Sequence, residues 1–180
     1  MRSLLALALL LTPVQAQAQA QSQAQTVPEG LSWMVLRDIN EVYFDPNDPT
    51  NRPPLVTTVP DGVIRAVDVS HDGRADWLVD YEPAGVNAFC GTGGCAKQLY
   101  VSAPDGLVRA FDAQALAFEI AGRGAATEIR VAVHHTYCGL DQWDCRAAFR
   151  WDAEARRLVP APVPGGEATA AGFQPLGQAE

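Results

Sequence analysis

The stretch DVSHDGRAD, residues 68–76, carries oxygen-bearing side chains at alternate positions. They lie at positions one, three, five and nine of the stretch: Asp68, Ser70, Asp72 and Asp76. Calcium takes about six to eight oxygen ligands, and a loop with acceptors at every second position can curl around one ion. Arg74 at position seven would offer its backbone carbonyl, and Gly73 at position six permits the sharp turn. The pattern predicts a calcium loop.

The same residues also fit a tight turn without an ion. Asp72-Gly73 is a favoured pair for a two-residue turn between antiparallel strands. That register places Ala66 opposite Val79 and points the first and last carboxylates of the stretch to opposite faces, where they cannot share an ion. A calcium loop requires the strand pairing to stop before Asp68. The sequence alone leaves both interpretations open.

Residues 68–79, DVSHDGRADWLV, resemble the Asp-rich loop of FG-GAP and VCBS-type repeats, D-x-(D/N)-x-D-G-x-x-D followed by hydrophobic residues. The resemblance implies a calcium loop between two adjacent strands. Ser70 stands where the family has Asp or Asn, and a hydroxyl is a weaker ligand. The chain has one such loop, whereas propeller members have several, so a propeller is excluded. Together with CGTGGC and FRWD, the loop also resembles small exported bacterial proteins of no established activity.

The four cysteines form two close pairs, Cys90 with Cys95 around CGTGGC and Cys138 with Cys145 around CGLDQWDC. An even number of cysteines in an exported chain predicts disulfides, and four cysteines allow three pairings. The short, glycine-containing loops favour the two local pairings. Zinc is the competing interpretation, because His134 and His135 come shortly before Cys138, although the spacing fits no common zinc motif. Trp143 lies within the second loop and is the predicted contact residue.

No catalytic motif stands out. The chain has no G-x-S-x-G elbow, no H-E-x-x-H pair and no phosphate-binding loop. We therefore expect a non-enzymatic binding or interaction module whose partner is an unknown protein or envelope component. One alternative is a cell-envelope hydrolase, which requires at least two of five side chains to converge: Asp68, Asp72, Asp76, His134 and His135. The other is an inhibitor of a secreted hydrolase, with loop 90–95 or 138–145 protruding.

The N-terminal residues predict export. Arg2 is followed by the apolar run Leu4–Leu11 and by small residues, a pattern typical of a signal peptide over 1–20. The run is too short for a membrane span. We expect a periplasmic or secreted protein with a flexible tail over 21–27, a single globular domain over 28–160 and a poorly ordered tail over 161–180. A formal net charge of -8 argues against nucleic acid as a partner.

The elements that must position these residues are mostly short strands. Apolar residues at helical spacing predict a helix over 31–43. Beyond Pro60, strand-length runs alternate with turn residues at 63–69, 76–81, 97–102, 107–111, 116–120, 127–133, 147–151 and 156–159. Connections this short suit antiparallel pairing. The predicted class is mainly β (α+β): an antiparallel meander sheet with a short N-terminal helix and loops tied by disulfides.

Overall fold

The computed structural model describes residues 26–42, 47–48, 50, 54–137, 144–163 and 173–176. Within these ranges the chain forms one α-helix and nine antiparallel strands, which confirms the mainly β class with one helix. The elements are α1 Glu29–Glu41, β1 Ile64–Val67, β2 Asp76–Asp80, β3 Cys90–Gly91, β4 Gly94–Ala103, β5 Gly106–Ala115, β6 Ala117–Ala121, β7 Glu128–His134, β8 Asp144–Asp152 and β9 Arg157–Ala161. None of the described helices is both long and apolar enough to span a membrane.

The strands form two sheets rather than one meander. In sheet A, β1 pairs with β2 and β2 with β4, and β4 also pairs with β3 and β5. Sheet B is a meander of β6, β7, β8 and β9. The chain passes from sheet A to sheet B at Leu116, whose backbone N–H donates to the carbonyl of Ala132 in β7. This crossing divides the predicted meander into two sheets.

The larger core lies between the two sheets. Alternate residues of each strand point into it, as expected for sheets buried on one face. Its largest side chains are Leu99, Phe111, Ile129, Phe149, Leu158 and Phe173. Phe111 of β5 meets Phe118 of β6 edge to face, with ring centroids 5.0 Å apart. Each fully buried side chain of this size contributes about 1.5–3 kcal/mol.

A second core lies between α1 and the other face of sheet A. Leu31, Val35 and Ile39 recur at intervals of four residues and are buried there together with Trp77 and Val79. The helix begins and ends two residues earlier than the predicted range of 31–43. This packing fixes the orientation of the whole helix against the sheet.

Polar atoms also tie α1 to the molecule. The Tyr81 hydroxyl donates to Asp38 at 2.9 Å, and burial raises the pKa of Tyr81. Burial in the same core also raises the pKa of Tyr100, to about 12. The Asn40 side chain accepts a hydrogen bond from the Val56 amide and donates to the Val56 carbonyl. These bonds satisfy polar groups that would be costly to bury unpaired.

Lys97, the single lysine of the chain, lies in β4 with 4% of its surface exposed. It faces Asp80 of β2 directly, and its ammonium group donates to Asp80 and, at 3.0 Å, to Glu82. A charge buried to this degree requires such partners, because desolvation costs several kcal/mol. The site is therefore an internal ion pair of sheet A.

The structure departs from the predicted segments at two places. β1 ends at Val67 and β2 begins at Asp76, so the pairing covers less of 63–69 than predicted. Of the residues described within 161–180, Ala161 ends β9 and Phe173, which is 4% exposed, belongs to the larger core. The predicted signal peptide over 1–20 lies outside the described residues, as does most of 21–27.

Candidate functional site

The segment between β1 and β2 is an open loop and not a two-residue turn. The strand pairing ends with Val67 opposite Asp76, and Ala66 faces Trp77 rather than Val79. Residues 68–75 are thus left outside the ladder. A calcium loop requires the strand pairing to stop before Asp68, and the pairing of β1 with β2 stops at Val67.

Asp76 organises this loop from inside the molecule. Its side chain is completely buried. Its carboxylate accepts backbone hydrogen bonds from Val69 and Ser70, both at 2.8 Å, and from Ser102 of β4 at 2.9 Å. The Ser70 hydroxyl adds a bond at 3.3 Å. A carboxylate has about four acceptor positions, and these four donors use them. The same carboxylate therefore fixes the loop and attaches it to β4.

His71 connects the loop to sheet B. Asp68 accepts a hydrogen bond from the His71 backbone at 2.9 Å and lies 3.1 Å from its Nδ1. The other ring nitrogen, Nε2, lies 2.6 Å from the hydroxyl of Thr127, just before β7. His71 has φ of 57°, in the left-handed region. The chain of contacts Asp68, His71, Thr127 holds the loop of one sheet against the start of a strand in the other.

Asp72 and Arg74 form a local ion pair at the tip of the loop. The Arg74 guanidinium lies 2.5 Å from the Asp72 carboxylate, and the Arg74 amide donates to it at 2.9 Å. The Arg74 side chain lowers the pKa of Asp72 below its ordinary value. Between them, Gly73 adopts φ of 86°, which a residue with a Cβ rarely does.

The ligand set predicted for calcium fits this geometry in part. Asp76 does not fit, since its acceptor positions are taken by N–H and O–H donors. Asp68 and Asp72 retain partly exposed carboxylates, but each is paired with a neighbouring side chain. Within the described part of the chain, no three His, Cys, Asp or Glu side chains form a group that could hold a metal ion. Calcium binding would require Asp68 to leave His71 and Asp72 to leave Arg74.

The first predicted disulfide is present. Cys90 and Cys95 face each other in the β3–β4 pairing and are bonded. The turn between them packs against the end of β5: a Cβ on Gly94 would lie 2.0 Å from the Ala115 carbonyl oxygen. This loop is therefore supported by β5. Cys138 and Trp143 lie outside the described residues, so the second disulfide and the Trp143 contact stay predictions.

The two histidines proposed for a catalytic or zinc site lie far from the acidic loop. Thr127, which contacts His71, directly precedes β7, whereas His134 ends this strand and His135 follows it. Seven residues of extended strand span about 23 Å. The rings of His134 and His135 contact each other, with centroids 4.2 Å apart. The fold therefore does not bring the acidic loop and these histidines into one site.

Trp33 is a candidate contact residue that the sequence analysis did not single out. It lies on the outer face of α1 and is 63% exposed. The Arg37 guanidinium, one helical turn later, lies over its ring at 5.5 Å from the centroid. The helical spacing could have identified Trp33 as exposed. Leu31, Val35 and Ile39 define the buried face of α1, and Trp33 lies outside that face.

No family model, curated protein or solved structure matches the chain.

Proposed function

We propose that this protein is an exported binding module that contacts its partner through the outer face of α1, with Trp33 at the centre. The main observation behind this proposal is the exposed indole ring of Trp33. Tryptophan is enriched at binding hot spots, where it buries a large apolar surface while losing little conformational freedom. The signal-peptide pattern and the Cys90–Cys95 disulfide support export, because disulfides persist in oxidising compartments.

The way in which α1 is fixed to sheet A supports a role in recognition. Its inner face is buried on sheet A, and Asp38 and Asn40 bind Tyr81 and Val56. A partner that covers Trp33 would not have to order the helix first, so less binding energy is lost to ordering. Arg37 beside the ring pairs with Asp38 at 3.1 Å and lies 3.8 Å from Glu41, so the surface around Trp33 offers charges of both signs to a partner.

The positions of the polar residues support a non-enzymatic role. Asp76 is saturated with structural hydrogen bonds, and Asp68 and Asp72 are paired locally. The fold separates His134 and His135 from the carboxylates of the loop, so the five side chains named for the hydrolase alternative do not meet in one site. The inhibitor alternative depends on a protruding loop; the turn at 90–95 packs on β5, and residues 138–143 of its other candidate loop lie outside the described residues.

A capture experiment tests the role of Trp33. The mature protein is immobilised and exposed to an envelope extract from its own cells, and the recovered partner is purified and its affinity measured. Trp33→Ala should weaken binding about 30-fold or more, the effect of a hot-spot residue. Leu107→Ala, which truncates another partly exposed apolar side chain, is the matched control and should bind normally. Equal partner recovery with Trp33→Ala would overturn the proposal.

Calcium is the second part of the proposal, and it concerns the stability of the loop. A site with a dissociation constant near 1 μM would add about 4 kcal/mol at 1 mM calcium. Thermal unfolding in calcium and in chelator should then differ by several degrees. The difference should vanish in Asp68→Ala and Asp72→Ala and persist in Asp61→Ala, which removes an exposed carboxylate elsewhere. An unchanged midpoint would leave 68–76 as a purely hydrogen-bonded loop.

A further inference from the structure

The segment Phe173–Leu176 occupies a gap between the two sheets. β5 ends sheet A and β9 ends sheet B, and in the described ranges neither strand pairs with another strand on its outer edge. The segment lies between them: Phe173 and Gln174 line a cleft with β8 and β9, and Pro175 and Leu176 line another with β5 and β9. The segment thus lies against a strand of each sheet.

One aromatic ring anchors this segment. Phe173 is 4% exposed, and its ring centroid lies 5.9 Å from that of Phe111 and 6.2 Å from that of Phe149. Tyr137 meets it edge to face at 5.2 Å. The single backbone bond described between the segment and a strand runs from the Asp112 amide of β5 to the Pro175 carbonyl, at 2.7 Å. The contact thus combines one buried side chain with one strand-edge hydrogen bond.

The segment does not fill the gap. The cleft toward β8 and β9 has a volume of about 460 Å³, and the cleft toward β5 has about 220 Å³. Both clefts are open to solvent and are not interior voids. Among the described residues, the gap therefore has room for a longer or bulkier chain than residues 173–176.

The walls of the gap are held by contacts that do not involve the segment. Arg156, in the β8–β9 turn, forms two bonds with Asp105 of the β4–β5 turn, at 3.0 and 2.8 Å. Phe111 and Phe118 pack together at the junction of the two sheets. The gap should therefore keep its shape when the segment leaves it.

We propose that the gap between β5 and β9 is a binding groove for an extended peptide segment with an aromatic side chain, and that residues 173–176 are its displaceable built-in occupant. An incoming peptide would place its aromatic ring in the Phe173 position and pair its backbone with the edge of β5, as in other cases of strand addition. This groove is separate from the Trp33 surface, so either proposal can fail without the other.

A peptide-binding experiment on the full chain tests the groove. The probe is a fluorescent peptide of sequence GFQPLG, corresponding to residues 172–177. Phe173→Ala should bind it at least 10-fold more tightly than the wild type, whose own tethered segment competes at high effective concentration. The peptide GAQPLG should not bind, and Leu55→Ala, which truncates an exposed apolar side chain outside the segment, should behave as the wild type. Absence of peptide binding by a folded Phe173→Ala variant would overturn the proposal.

Hydrogen exchange on the wild type gives a second test that requires no variant. The Asp112 amide should exchange through a local opening, at least 10-fold faster than the amides of the β4–β5 ladder. If it exchanges only on global unfolding, the segment is a fixed part of the core and the proposal fails. A wild-type dimer that Phe173→Ala abolishes would also overturn it, in favour of segment exchange between copies.

Discussion

Two irregular segments connect the sheets, and they are held in opposite ways. Loop 68–76 is fixed by the buried Asp76 carboxylate and by short hydrogen bonds that reach both sheets. Among the described residues, segment 173–176 is held by one ring and one backbone bond, and a cleft lies on either side of it. Opening of the loop would break several short hydrogen bonds together. Undocking of the segment would break one backbone hydrogen bond and remove one ring from the core. The first arrangement suits a permanent part of the fold and the second suits an exchangeable one.

Substitution of Asp76 should have the largest effect. Asp76→Ala leaves the amides of Val69, Ser70 and Ser102 without their acceptor, and we expect a loss of about 3–5 kcal/mol in the free energy of unfolding. Denaturant unfolding measures it. Asp68→Ala, an exposed member of the same loop, should cost less than about 1 kcal/mol. Equal costs for the two variants would mean that Asp76 does not organise the loop.

Substitution of Phe173 should have a smaller effect. A buried Phe→Ala change ordinarily costs about 3–5 kcal/mol. Here the loss cannot exceed the free energy with which the segment docks, so we expect about 2–3 kcal/mol. Calorimetric unfolding of Phe173→Ala beside Leu176→Ala measures it. A cost of 4 kcal/mol or more, by the same scale, would place the segment in the permanent core and remove the contrast with the loop.

The bond between His71 and Thr127 should contribute about 1 kcal/mol. A double-mutant cycle with His71→Asn and Thr127→Val isolates it, because Asn tolerates the left-handed backbone conformation at this position. The two substitutions should be coupled by roughly that amount in urea unfolding. Fully additive effects would show that the loop does not link the two sheets through this contact.

The smallest effect should be the acid dependence of the loop tip. Because the Arg74 side chain lowers the pKa of Asp72, the pair stabilises the folded state above the ordinary Asp pKa of about 3.9. This contribution, below about 1 kcal/mol, is lost as the pH falls through the lower, folded-state pKa. A carbon-13 titration of Asp72 should give a midpoint below about 3.9, rising in Arg74→Ala. An identical midpoint in both proteins would contradict the ion pair.

Local patterns predicted the secondary structure well. The strand-length run at 127–133 correctly identified β7, and the apolar residues at helical spacing over 31–43 correctly identified α1. Short apolar runs separated by turn residues identified the antiparallel strands, because their pairing is between near neighbours in the chain.

Contacts between residues that are distant in the sequence could not be predicted from those patterns. Nothing near Asp76 in the sequence shows that Ser102, in another strand, donates to its carboxylate. Phe173 stands among Gly, Ala and Gln, which is typical of a tail, and its partners Phe111 and Phe149 are distant in sequence. The contact between His71 and Thr127 joins residues from two sheets, so only the arrangement of the sheets reveals it.

The internal position of Lys97 has a practical consequence. It is the one side-chain primary amine in the chain, and it is enclosed between Asp80 and Glu82. Amine-reactive labels and crosslinkers should therefore spare every side chain of the folded protein and modify Lys97 only when sheet A opens. The rate at which Lys97 is modified therefore reports how often sheet A opens. Ligands of the helix, the loop or the groove can be compared by how much each changes this rate.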